Sequence, residues 1–344
     1  MINIESRYIE TIKTAVGAVD LYEGLQKAIE LEHATIPPYL LACYSLIEGQ
    51  NSPLRRVLLS LAKEEMLHMA IVCNVLNAIG GKPEIATEQF VPQYPSALPM
   101  SIGEGLVVGL KKFSRETLRD TFMKIEEPEN PLDFPVVAER AAVQFKTIGM
   151  FYSALIDKIT ELGEGIFTGS SDRQVVVGAG FAQGLLFPIT GVQTATKALR
   201  WILEDGEGTS ASPLDASGEE FAHYYRFAEI YHGRKLVPST SASQGYAYAG
   251  DRIVFVPEKV YDFPDNPKAA DYAPGSFARG MVDDFNLSYS NVLRDLQKAF
   301  DGNPAHIGTA NSNMVALRGR AEEALRFVDP KTGRNVGVSF EYTS

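Results

Sequence analysis

The chain is poor in the residues that would make it a disulfide-stapled, membrane-spanning or nucleic-acid-binding protein. It has two cysteines in 344 residues, too few for a disulfide framework. Cys43 and Cys73 sit inside apolar helical runs and read as buried thiols of a reducing compartment. No uninterrupted apolar stretch approaches the roughly 20 residues a membrane helix needs. The opening MINIESRYIETIKTAV carries acids and no apolar core, so it does not read as a secretory signal. Positive charge is also scarce: 32 basic residues against 43 acidic ones give a net charge of −11. With no cluster of Lys and Arg, this balance argues against nucleic acid as a partner. G-x-S-x-G, Walker, G-x-G-x-x-G and C-x-x-C motifs are all missing, so nucleophilic hydrolysis, phosphate cradling and dinucleotide binding have no support. The expectation is a cytoplasmic protein with enough apolar residues, 45%, to bury a large core.

What the chain does have is helical periodicity interrupted by misplaced ionisable residues. Residues 20–49 and 53–80 read as two long helices joined by Gly49-Gln50-Asn51-Ser52-Pro53, a connection short enough to make them antiparallel neighbours. A proline-rich covering loop spans 82–103, a short helix 115–125, a third long helix 134–162, a fourth 189–205 and a further one 219–232. Beyond 240, Tyr246–Ala249 and Arg252–Val256 flank Gly250-Asp251 as a β-hairpin, and two helices at 278–300 and 311–328 follow. The expected architecture is mainly α: a four-helix bundle over residues 1–235 with inserted loops, and an extension over 236–344 packed on it.

On the second of these helices, Glu65 and His68 are three apart and share one face. That face is otherwise Leu58, Leu61, Ala62, Val72, Val75, Leu76 and Ile79. An acid and an imidazole in such a stripe are costly unless paired or metal-bound. On the first helix, Glu32 falls within the series Leu21, Leu25, Ala28, Ile29, Ile36, Tyr39, Leu40 and Cys43. Glu30 falls on the polar side, and His33 faces away from Glu32. Pro37-Pro38 follow within two turns and remove two helical hydrogen bonds, so a bend is expected there. Toward the C-terminal half, Glu220 and His223 repeat the E-x-x-H spacing of a two-metal bundle. Glu207 and Glu204, in Glu204-Asp205-Gly206-Glu207-Gly208, compete as acidic partners for His223. His232 and His306 have no partner at ligand spacing and read as surface residues.

Several stretches in order resemble one family. AIELEHATIPPYLLACYSL, EEMLHMAIVCNVLNAIGGKP, YPSALP, FKTIGMFYSALI, ILEDGEG, AHYYRFAEI, FNLSYSNVLRDLQKAF and VSFEY are similar to the ferritin-like domain of the iminophenyl-pyruvate dimer synthase family of violacein and related indolocarbazole pathways. The resemblance covers nearly the whole chain and looks like a free-standing ferritin-like member. It implies a ferritin-like four-helix bundle that binds iron, as one or two ions, through Glu32, Glu65, His68, Glu207 and His223. It further implies an oxidase or oxygenase acting on a small amino-acid-derived metabolite, with Tyr39, Phe151 and Tyr152 near the pocket and self-association into a homo-oligomer compatible with the fold. One departure stands out: the family's T-I-G-E-F-Y is here Thr147-Ile148-Gly149-Met150-Phe151-Tyr152. Met150 removes the third-helix acid, so the site loses a ligand. A degenerate scaffold or accessory protein without catalysis is the competing expectation.

Overall fold

The computed structural model describes residues 6–101, 106–128, 148–176, 184–207, 212–215, 217–242 and 244–343, with Ser6 and Glu207 described by their backbones alone. A short helix α1 (Ser6–Lys13) precedes the two central helices, α2 (Tyr22–Ser45) and α3 (Ser52–Ala78). Almost every residue of α2 from Ala28 onward is buried, which fits a helix whose apolar residues run round more than one face. The six-residue connection reverses the chain, as expected. The Tyr22 hydroxyl at the start of α2 donates to the carbonyl of Ile79 just beyond the end of α3, at 3.1 Å. Cys43 and Cys73 are both free and buried.

α2 continues through Pro37 and Pro38. Pro38 has no amide hydrogen for the carbonyl of Ala34, and the buried Tyr94 hydroxyl takes its place at 2.8 Å. Tyr94 comes from the covering loop, which also carries β1 (Ser96–Ala97), paired antiparallel with β2 (Val107–Val108). The next helical segment is composite: α4 (Arg115–Thr117), a π turn (Leu118–Phe122) and α5 (Met123–Ile125). The third bundle helix, α6 (Ile148–Leu162), is described from Ile148, so the expected core positions Val137, Ala141 and Phe145 lie outside the described residues. α6 packs on α7 (Val192–Glu207), and α7 touches both α3 and α8 (His223–His232).

Two expectations need correction. Residues 219–222 are not helical: Leu214 bridges Phe221, and Asp215 and Ala222 exchange backbone hydrogen bonds with Glu220 and Pro213, so the helix begins at His223. Gly250-Asp251 is not a turn either. β4 (Tyr246–Arg252) continues through it and pairs antiparallel with β3 (Arg234–Pro238), with a bulge between the Tyr248–Leu236 and Arg252–Arg234 pairs. A Cβ on Gly250 would lie 2.6 Å from the Val237 side chain, so the glycine serves close approach between strands. α9 (Phe277–Phe300) and α10 (His306–Arg326) form a helical hairpin that packs back onto α2 and α3. Among the described residues no helix is long and apolar enough to cross a membrane.

Asn51, fully buried between α2 and α3, ties the later chain to the bundle. Its amide donates to the carbonyls of Val256 and Lys259 at 3.0 and 2.9 Å, and its carbonyl accepts from the Val256 amide at 2.9 Å. Replacing it by Ala takes the partner from the Val256 amide, while the carbonyls of Val256 and Lys259 each keep a backbone donor, from Lys259 and Ile47. Asn51→Ala should cost about 1–3 kcal/mol of stability in urea unfolding. A loss no larger than that of an exposed-site control would show that this junction is not structural.

Candidate metal centre

The helical stripes place the ionisable residues where the sequence suggests, and burial then forces them together. Glu32, Glu65, His68 and His223 are each at most 5% exposed. Two further acids join them. Asp205 lies on the buried face of α7 with Ala195, Ala198, Leu199 and Ile202, and Glu126 follows α5 directly. Neither was among the expected ligands. Both could have been found by the stripe argument that found Glu32: Asp205 stands three residues after Ile202, and Glu126 four after Phe122 and eight after Leu118.

The resulting cluster has an inner layer of three carboxylates facing two imidazoles. Glu32 Oε2 lies 3.5 Å from His68 Nδ1, and Glu126 Oε2 lies 3.5 Å from His223 Nδ1. Glu65 stands between them, with Oε2 3.8 Å from His68 Nδ1 and Oε1 2.9 Å from His223 Nδ1. Each terminal carboxylate has its other oxygen occupied by a buried tyrosine. The Tyr152 hydroxyl donates to Glu32 Oε1, and the Tyr39 hydroxyl to Glu126 Oε1 at 2.5 Å. Glu32 with Tyr152 and His68 therefore repeats Glu126 with Tyr39 and His223, one on each side of Glu65.

An outer layer fixes the imidazoles. His68 Nε2 is 2.9 Å from Asp205 Oδ2, and His223 Nε2 is 2.9 Å from Glu64 Oε2. A carboxylate accepts only, so each Nε2 carries a proton, and each Nδ1 faces the inner layer. The two rings are stacked with centroids 5.6 Å apart. Although His223 Nδ1 is close to Glu65 Oε1, it has no hydrogen-bond partner of acceptable geometry.

The electrostatics are those of an anion-rich interior. Burial raises the Glu32 carboxyl to about 7, against the pull of His68. Glu65 is opposed by burial and by the charge of Glu126, yet its contacts with His223 and His68 hold it below the ordinary range. Burial also opposes charge on both imidazoles, but hydrogen bonds donated to Asp205 and the negative charge of the surrounding glutamates raise both well above the usual histidine value. Two sets within the inner layer could each hold a cation: Glu32, Glu65 and His68, and Glu65, Glu126 and His223. Glu64, Asp205 and His223 also converge. In that outer set, however, Arg226 Nη1 is 2.5 Å from Glu64 Oε2 and already supplies the positive charge.

The remaining sequence candidates fall as follows. Glu220 is exposed and 3.6 Å from Arg226; the non-helical start of this segment separates it from the His223 face, so the second E-x-x-H pair does not form. Glu207 ends α7, and its side chain lies outside the described residues. Glu204 is half-buried and is not among the converging groups. Glu30 pairs with Lys27 at 2.6 Å on the polar side, as expected. His33 is not a ligand. It is buried against Tyr289, 2.6 Å away, and burial pushes it down to about 3, so it is neutral. Met150 does remove the third-helix acid, but the deficit is made good from outside that helix, by Glu126. A pocket lined by Thr35, Ile125, Ile148, Ile202 and Leu203 opens onto Glu32, Glu65, Glu126 and His68.

A ferritin-like family model matches residues 25–232, more than half of the chain and all of the cluster. The chain belongs to the ferritin-like family. As a ferritin-like protein it bears out the resemblance read from its motifs at the level of family and fold. It is 23% identical to a dichlorochromopyrrolate synthase from Lentzea aerocolonigenes, over 94% of this chain and 36% of that protein. The chain thus spans about a third of that relative. The crystal structure of a ferritin-like protein from Caulobacter vibrioides superposes with a TM-score of 0.61 at 22% identity, covering 94% of this chain and 97% of that one. That likeness speaks for the fold.

The geometry distinguishes Asp205 from its acidic neighbour. Asp205→Ala strands the buried Nε2–H of His68, and should destabilise the metal-free protein by about 1–3 kcal/mol in urea unfolding. Glu204→Ala should stay within about 0.5 kcal/mol of the parent. Equal effects would contradict the placement of Asp205.

Proposed function

We propose that this ferritin-like protein is a non-haem iron oxidase or oxygenase with a two-metal centre, acting on a small amino-acid-derived metabolite. The observation that carries the proposal is the orientation of the two histidines. Each is tied at Nε2 to an outer carboxylate, and each presents Nδ1 to Glu65 and one further glutamate. His223 Nδ1 lies 2.9 Å from Glu65 Oε1 and 3.5 Å from Glu126 Oε2 without a well-aligned hydrogen bond to either, the position of a nitrogen that faces a shared cation. A bound cation would satisfy that nitrogen and neutralise three buried carboxylates at once. The donor set fits: mixed imidazole and carboxylate ligands suit Fe(II) and leave coordination positions open.

Glu32, Glu65 and His68 would hold one ion and Glu65, Glu126 and His223 the other, with Glu65 shared. Bound iron would supply one-electron oxidation and the activation of dioxygen. The protein's own groups set the terms for that chemistry. Tyr152 and Tyr39 each hold one oxygen of a terminal carboxylate, leaving the other to face inward. Asp205 and Glu64 fix the tautomer and ring plane of the histidines. The apolar pocket beside Thr35 offers an uncharged approach that limits water at the cluster. The likeness to a dichlorochromopyrrolate synthase supports a biosynthetic oxidation of a small molecule, while the chain's coverage of only about a third of that protein leaves the reaction its own.

The competing idea of a degenerate scaffold rests on Met150, and Glu126 removes its main argument. Elemental analysis of protein expressed with added iron should return about two metals per chain by this ligand count. Glu126→Ala should retain about one and Glu65→Ala essentially none, with circular dichroism unchanged in both. A parent protein that binds no metal, or one whose metal content is indifferent to Glu65, would return the scaffold to favour.

A further inference from the structure

The α2–α3 pair has a second side. Residues adjacent in sequence to the cluster point away from it and line a separate cavity, closed on the other side by α9 and α10. His33 follows Glu32, Met66 follows Glu65, and Met69 follows His68. The cavity has a volume of about 150 Å³. Its wall is made mainly of Leu, Ile, Met, Val, Ala and Phe side chains, and among the described residues it contains no Asp, Glu, Lys or Arg. Gly308 and Asn311, both exposed, stand at its solvent side. Three methionines, Met66, Met69 and Met314, share the wall and give it the adaptability of flexible, polarisable side chains.

One polar feature breaks this apolar lining. His33 and Tyr289 meet there, with Nε2 2.6 Å from the tyrosine oxygen, while the other ring nitrogen of His33 is buried with no hydrogen-bond partner. An unsatisfied buried ring nitrogen is costly, and native proteins usually pair such atoms. Which tautomer His33 adopts depends on whether Tyr289 donates or accepts, so the partner it lacks is either an acceptor or a donor. A hydroxyl serves in both cases.

We infer that this cavity between α2, α3, α9 and α10 is a binding site for a neutral, single-ring aromatic or similarly compact apolar molecule carrying one hydroxyl, with the hydroxyl at the His33–Tyr289 end. An apolar cavity of about this volume accommodates a benzene-sized guest and stays dry without one. The absence of any charged group excludes carboxylates and amines, whose desolvation nothing there would offset. This site is independent of the proposed metal chemistry, since its wall uses none of the cluster's carboxylates.

Isothermal titration calorimetry on the full chain with p-cresol, toluene and benzoate tests this. One saturable p-cresol site per chain is expected, with toluene about tenfold weaker for want of one hydrogen bond and benzoate not binding. Ala310→Phe, which fills the cavity from α10, should abolish binding. His33→Phe should bring p-cresol down to the level of toluene. Glu65→Ala should leave binding intact, which separates this site from the metal centre. Absence of saturable p-cresol binding, equal binding of benzoate, equal binding of toluene and p-cresol by the parent, or p-cresol affinity unchanged by Ala310→Phe would each overturn the inference.

Discussion

Buried carboxylates repel, and this chain places three of them around two imidazoles inside a helical core. Glu65 is the centre of that arrangement, with one oxygen toward His68 and the other toward His223. Desolvating an acid without compensation is among the most unfavourable acts a fold can perform. Here the compensation is layered. Tyrosines take one oxygen of each terminal glutamate, outer carboxylates take the distal nitrogen of each imidazole, and Arg226 balances Glu64 at the rim. What these partners leave uncompensated is the inner face, where several oxygens and two nitrogens converge. Two local features of the fold bear on this point, the π turn just before Glu126 and the late start of α8 at His223.

The near-repeat within the cluster gives the site its symmetry although position 150 carries a methionine. A carboxylate acts through the position and orientation of its oxygen, not through the helix that carries it. Glu126 arrives from the segment that ends in α5, is held by Tyr39, and faces His223 at the same 3.5 Å that separates Glu32 from His68. A π turn sits immediately upstream, and such turns add one residue to a helix and rotate everything beyond it. That rotation changes the direction in which Glu126, four residues past its end, leaves the segment.

Much of this was legible in the sequence, and the legible parts share a cause. Helix periodicity is a local property, so the stripes on α2 and α3 identified Glu32, Glu65 and His68 as misplaced polar residues before any fold was known. The polar placement of Glu30 and the separate role of His33 follow from the same counting. Two errors share the opposite cause. The spacing of Glu220 and His223 suits a helix, but residues 213–215 and 217–222 pair with one another instead. Gly250 was read as a turn because glycine often is one, whereas here it lets β4 approach β3. Asp205 stands in sequence between the acids Glu204 and Glu207, and its place on the apolar face of α7 is what sets it apart.

By itself, the sequence determined the helical class, the family, and the fact that acids and histidines lie within apolar faces, since each depends on neighbours within a few turns. Only the tertiary structure decided which of those groups meet. The pairing of His68 with Asp205, the arrival of Glu126 beside His223, and the enclosure of a cavity behind His33 each bring together residues distant in the chain. Such meetings depend on how helices pack and rotate against one another, and periodicity along a single helix carries no record of that.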